Sequence, residues 1–124
     1  MMAVCSLAGC ASEPKKRISL PPNSATPQVV ADTFIKAVLA GDCETVDALF
    51  PKRGTDGYTQ CSDKEKYKQY TIGHVSAGVP KSYAKNPKNE LRKVYITRNG
   101  QIWGFFLERS SKNDPWRITD EGVI

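Results

Sequence analysis

The sequence predicts an α+β domain: three N-terminal helices packed on a curved antiparallel sheet of about four strands. Two observations carry this expectation. Apolar residues recur at helical spacing after residue 26, then give way to strand-like alternation after residue 70. Asn99-Gly100 sits between two alternating segments, which is the strongest short hairpin signal in a sequence. Helices followed by an antiparallel meander place the helices on one face of the sheet.

The elements follow in order. Thr26 is an N-cap with Pro27 at the first helical position. Val30, Phe34 and Val38, with Ile35 and Leu39, form one apolar stripe, and Gly41 ends the helix. Asp42 caps a second, shorter helix with Val46, Leu49 and Phe50 facing inward, and Pro51 stops it. Residues 52–60 are a loop with Gly54 and Gly57. Ser62-x-x-Glu65 matches a capping box, so a third short helix is expected to about Tyr70. Thr71 to Val79 alternates, with Val75, Ala77 and Val79 on one side and Ile72, His74 and Ser76 on the other. Residues 80–90 form a loop. Leu91–Arg98 and Gln101–Arg109 make the hairpin, and Trp116–Thr119 is the last strand.

A two-residue turn sets the register of that hairpin: Val94 faces Phe105, Tyr95 faces Gly104 and Ile96 faces Trp103. One face then carries Val94, Ile96, Trp103, Phe105, Leu107, Trp116 and Ile118, a core rather than a stacking platform for sugars or bases. The other carries Tyr95, Ile102 and Phe106, rimmed by Lys93, Thr97 and Glu108. A contiguous apolar patch with a charged rim marks an interface, so a second copy of the chain or an envelope protein is the expected partner. The competing expectation is that residues 80–90 fold over this face.

The chain has 124 residues, one domain's worth, with 18 basic and 13 acidic side chains. Part of the excess is Lys15-Lys16-Arg17. Elsewhere acids and bases alternate, as in Asp63-Lys64-Glu65-Lys66, and no basic strip is interleaved with aromatics, so nucleic acid is not an expected partner. Leu7-Ala8-Gly9-Cys10 resembles the lipobox of bacterial lipoproteins, in which the cysteine receives a lipid and becomes the first residue after cleavage. The resemblance implies a signal remnant over 1–10, lipidation at Cys10 and a location on a bacterial membrane facing away from the cytoplasm. The stretch before Cys10 is short and lacks a basic n-region, so a start further upstream or a truncated chain is expected; the competing reading is an incidental apolar segment. Residues 11–26, with Pro14, Pro21, Pro22 and the basic triplet, read as a flexible tether that holds the domain (27–124) near anionic head groups.

Of four cysteines, Cys5 lies in the signal remnant and Cys10 is the lipid acceptor, which leaves Cys43 and Cys61 as a disulfide pair in an oxidising compartment. Such a bridge stabilises by roughly 3 kcal/mol. In a cytosolic protein the same pair would be two free buried thiols. With a single histidine, His74, no metal site is expected, and no cofactor is implied.

The order of elements, the Ala31-Asp32-Thr33-Phe34 to Ala40-Gly41-Asp42 segment, and the closing Trp116-Arg117-Ile118-Thr119 resemble the nuclear transport factor 2-like fold. That fold is a cone-shaped α+β domain hosting enzymes, ligand carriers and assembly modules, so it does not settle function. The first expectation is a non-catalytic binding or assembly domain of the cell envelope. The second is a small-molecule binder using the pocket between helices and sheet, lined by Tyr67, Tyr70 and His74. The third is an isomerase- or dehydratase-like enzyme, which is disfavoured because the strand interiors are expected to carry no Asp or Glu. If the lipobox is used, Cys10→Ser in a chain with its native start should move the protein from the membrane to the soluble fraction. An unchanged detergent-phase partition would rule the anchor out.

Overall fold

In the computed structural model, which describes residues 17–51 and 58–123, two helices precede a four-stranded antiparallel sheet. Helix α1 spans Pro27–Ala40 and α2 spans Cys43–Leu49; the strands are β1 (Tyr70–Ser76), β2 (Glu90–Arg98), β3 (Gln101–Arg109) and β4 (Arg117–Val123). The sheet is open, in the order β1-β2-β3-β4, without strong curl.

Helix α1 begins where its cap predicts, with the Thr26 hydroxyl accepting from the Val29 N–H at 3.2 Å. It ends in a left-handed Gly41, φ 71°. The Gly41 N–H donates to Val38 O at 3.1 Å and the Asp42 N–H to Ala37 O at 2.9 Å. This pair of bonds is a Schellman closure, which satisfies the last carbonyls of the helix. Asp42 then starts α2. Its carboxylate accepts from Thr45 N at 3.3 Å and also from Ile18 N at 2.8 Å. The Thr45 hydroxyl lies 2.9 Å from the Ile18 carbonyl, and Arg17 pairs with Glu44. Residues 17 and 18, expected inside a tether, are therefore fastened to the start of α2. Cys43, the first residue of α2, is bonded to Cys61 with the Cα atoms 5.1 Å apart.

The third helix is a four-residue 3-10 turn, Lys64–Tyr67, not an α-helix. Lys64, Glu65 and Lys66 are polar, so the segment offers Tyr67 alone to the core and lacks the stripe that would stabilise further turns. Only two residues then separate Tyr67 from the start of β1.

The hairpin register is as the turn predicts: Val94 opposite Phe105, Tyr95 opposite Gly104, Ile96 opposite Trp103. Asn99 (φ 51°) and Gly100 (φ 84°) take the left-handed conformations that a tight two-residue turn requires. The Asn99 amide also donates to Glu65 O at 2.9 Å and its carbonyl accepts from Gln69 N at 3.2 Å, which locks the turn to the 3-10 segment.

Two irregularities depart from simple alternation. In β1, Ile72 pairs with Ile96 and Val75 with Val94, so a bulge puts Ile72 and Val75 on the same side, whereas alternation had separated them. Gly73 sits in the bulge, where a Cβ would lie 2.9 Å from the Tyr95 carbonyl oxygen. In β4, Leu107 pairs with Ile118 but Phe106 with Asp120, leaving Thr119 as an extra residue. The strand also continues past Thr119 to Val123.

The core lies between the helices and the predicted inner face. Phe34 meets Phe50 at 5.8 Å and Phe105 at 5.5 Å between ring centroids. Val30, Ile35, Val38, Leu49, Val94, Ile96, Leu107 and Ile118 close around them, all buried.

Replacing Asp42 with alanine should cost about 2 kcal/mol in denaturant unfolding, since one cap and one long-range bond go together. The Ile18 N–H holds the Asp42 carboxyl below its ordinary value of 3.8, against the opposing effect of burial. The wild-type advantage should therefore be fully present above about pH 5 and shrink as pH falls through 4 and below. A gap between wild type and variant that persists unchanged at pH 2 would contradict the assignment.

Candidate binding surfaces

The outer face of the sheet brings together residues from three strands. The His74 ring stacks on Tyr95 at 4.3 Å with 20° between planes, and Lys93 Nζ lies 5.3 Å from the Tyr95 centroid and 5.1 Å from that of Phe106. Phe106 in turn meets Tyr83 at 5.1 Å. Ile102, at the hairpin end, is 58% exposed. The result is a band of rings and one ammonium across a flat face, continuous from His74 to Tyr83.

Half of this band is covered by the chain itself. Glu108 points outward, as its register predicts, yet it is buried because the loop before β2 closes over it. Its carboxylate accepts from Lys85 N at 2.9 Å and from Asn89 Nδ2 at 2.6 Å, with Asn86 N at 3.4 Å. Lys81 donates to the Asn89 carbonyl at 2.7 Å, which tightens the loop. A carboxylate with three loop donors is a clamp, and it holds the loop over Leu91 and beside Phe106. The Tyr95 and Ile102 end remains open.

Tyr67, Tyr70 and His74 do not share one pocket. Tyr67 is fully buried with its hydroxyl 2.8 Å from Thr59 Oγ1. Tyr70 meets it edge-on at 6.5 Å and donates to Asp32 at 2.8 Å. His74 stacks on Tyr95, and the sheet separates it from Tyr67. The space between helices and sheet is filled by the aromatic core.

An inward carboxylate is present after all. Glu121 lies opposite Phe105 on the inner face and accepts from Thr59 N at 2.6 Å, Thr59 Oγ1 at 3.0 Å and Trp103 Nε1 at 2.9 Å. Simple alternation from Ile118 would have sent residue 121 outward; the extra residue Thr119 turns it in. Beside it the Arg98 guanidinium lies 3.6 Å above the Trp103 ring, and its Nη1 is buried without a hydrogen-bond partner. With three donors on its oxygens, Glu121 holds residues 58–61 to the sheet. No group of three metal-ligating side chains occurs among the described residues.

A groove of about 350 Å³ opens at the other end of the sheet, where Lys85, Glu108, Arg109 and Arg117 meet the β3–β4 loop and Pro51. Arg109 lies 4.4 Å over Trp116 and pairs with Glu90 at 3.1 Å. Arg117 donates to the Trp116 carbonyl at 2.9 Å. Burial lowers the pKa of Arg117.

Cys10 lies outside the described residues. Against this geometry, comparison with known protein families, curated proteins and solved structures finds no match.

Tyrosines tie the helical half to the sheet. The Tyr58 hydroxyl donates to Asp120 at 2.6 Å, a bond that, with burial, pushes its pKa up to about 12. Burial, then the bond to Asp32, does the same for Tyr70, to about 12. Burial also raises Tyr67, reinforced by the Glu121 charge. Raised phenol values stabilise the fold fully below the unfolded value of 10 and progressively less as pH climbs toward 12. Stability should therefore fall steeply above pH 10, and Tyr58→Phe with Tyr70→Phe should flatten that fall. An unchanged alkaline limb in the double variant, followed by 295 nm absorbance and denaturant midpoints, would count against it.

Proposed function

We propose that this chain is a non-catalytic binding or assembly domain of the bacterial cell envelope, of the nuclear transport factor 2-like type, anchored to a membrane through a lipid on Cys10. The Tyr95–Ile102 end of the outer sheet face meets a second copy or another envelope protein. The observation that carries this reading is the open band of His74, Tyr95 and Ile102, which the chain's own loop leaves uncovered. A partner that covers Ile102 and the Tyr95 ring removes apolar surface from water, and Lys93 at the rim supplies charge for orientation.

Export is supported by the Cys43–Cys61 bridge, since such bonds persist in oxidising compartments. No described helix is long and apolar enough to cross a membrane, so attachment through a lipid is the mode that the Leu7–Cys10 pattern offers. A binding role is favoured over an isomerase-like one because the inward carboxylate, Glu121, is engaged by backbone, hydroxyl and indole donors.

Ile102→Glu tests the surface with little risk to folding, because the residue is more than half exposed. The variant should keep the wild-type denaturation midpoint and lose self-association or crosslinking to envelope partners, by roughly tenfold or more for a charge placed in a dry contact. Wild-type association in a folded Ile102→Glu protein would remove this face as the interface.

A further inference from the structure

The groove beside the β3–β4 loop has an imbalance that the fold does not use. Its buried acid, Glu108, is already engaged. Glu108 is closed by three loop donors, and Asp114 accepts from the Ser111 hydroxyl at 3.0 Å. Not all of its bases are. Arg117 makes one bond, to the carbonyl of its own neighbour, and no ion pair joins it to a carboxylate among the described residues. The backbone N–H of Lys85 is bound to Glu108, while its ammonium forms no ion pair among the described residues. Arg109, by contrast, is engaged: it pairs with Glu90 at 3.1 Å, donates to the Lys112 carbonyl at 3.4 Å and stacks on Trp116, with only its Nε buried and unmet.

Arg117 and Lys85, two bases without an acid partner among the described residues, therefore line one concavity beside a carboxylate already met by the loop. A guanidinium and an ammonium without a carboxylate partner are groups that an anion can pair with. Pro51 and Pro115 supply apolar wall. A space of about 350 Å³ holds a small organic molecule.

We propose that this groove binds a small organic anion, with a carboxylate or phosphate group toward Arg117 and Lys85 and an apolar body against Pro51 and Pro115. The Arg117 guanidinium favours a planar or tetrahedral oxyanion over a halide, because its N–H pairs match the oxygens. The site is separate from the Tyr95–Ile102 face and does not depend on anchoring or association there.

The test is a titration of the ¹⁵N-labelled protein, with its disulfide intact, with phenylacetate, neutral phenylacetamide and inorganic phosphate. Phenylacetate should shift the amides of Ser110, Asp114 and Arg117 in a saturable manner, and phenylacetamide and phosphate should each bind about tenfold more weakly or worse. Arg117→Gln should weaken phenylacetate by about tenfold, and Lys36→Gln, remote and paired with Asp32, should not. If Arg117→Gln fails to fold, Lys85→Gln serves, since that side chain makes no contact the fold needs; it should weaken binding in the same direction. Three outcomes would overturn the proposal: no saturation by about 20 mM phenylacetate, equal binding of phenylacetamide, or equal binding to the folded Arg117→Gln or Lys85→Gln protein. Phosphate binding as well as phenylacetate would overturn the apolar half of the site.

Discussion

The register of the β2–β3 hairpin is the constraint on which the two faces of this domain depend. A side-chain period of two means that a slip of one residue would exchange Val94, Ile96, Phe105 and Leu107 for Lys93, Tyr95, Phe106 and Glu108 in the core. Asn99-Gly100 prevents the slip locally, and the Asn99 side chain prevents it again through its bonds to Glu65 and Gln69. The same turn thus sets the strand pairing and docks the sheet onto the segment that follows the disulfide. Helix α1 and helix α2 then have one apolar face to cover, and Phe34, Phe50 and Phe105 fill it.

Two carboxylates on opposite faces of the sheet play matching parts. Glu108 on β3 gathers the loop before β2 onto the outer face, and Glu121 on β4 gathers residues 58–61 onto the inner one. Each is buried, and each is met by several donors, the condition under which a buried charge is tolerated. Asp42 does the same at the helical end, where it joins Ile18, Thr45 and the turn between helices. In a domain of this size, three carboxylates thereby fix segments that carry few apolar side chains of their own. The disulfide secures the same end as Asp42, so the first residues of α2 are held covalently as well as by hydrogen bonds.

These clamps also define what is left for binding. By closing over Phe106, the Glu108 loop confines the open apolar surface to the hairpin end of the outer face. The same carboxylate is turned to the loop donors, and Arg117 and Lys85 at the far end have no acid partner among the described residues. One side chain therefore separates the open apolar band from the groove beside the β3–β4 loop.

Much of the fold was legible in the sequence because the signals were local. Thr26-Pro27, Gly41-Asp42 and Asn99-Gly100 each shape a helix end or a turn within a few positions, although Asp42 and Asn99 also reach Ile18 and Glu65, and the amphipathic stripe of α1 and the inner face of the hairpin follow from period alone. Cys43 and Cys61 were identified by the absence of other domain cysteines. Of the candidate sites, the outer-face residues were placed by register, whereas Tyr67, Tyr70 and His74 were grouped by type and proved to face different surroundings. The tertiary structure decided what depends on non-local partners. The bulges at Ile72/Val75 and Thr119 leave no mark in alternation, yet the second turns Glu121 inward and so creates a buried carboxylate. The 3-10 turn at Lys64–Tyr67 arises where a capping signal had no apolar stripe behind it. The groove joins residues 51, 85, 109 and 117, whose proximity no periodicity encodes, because it is produced by chain segments that meet only after the sheet has formed.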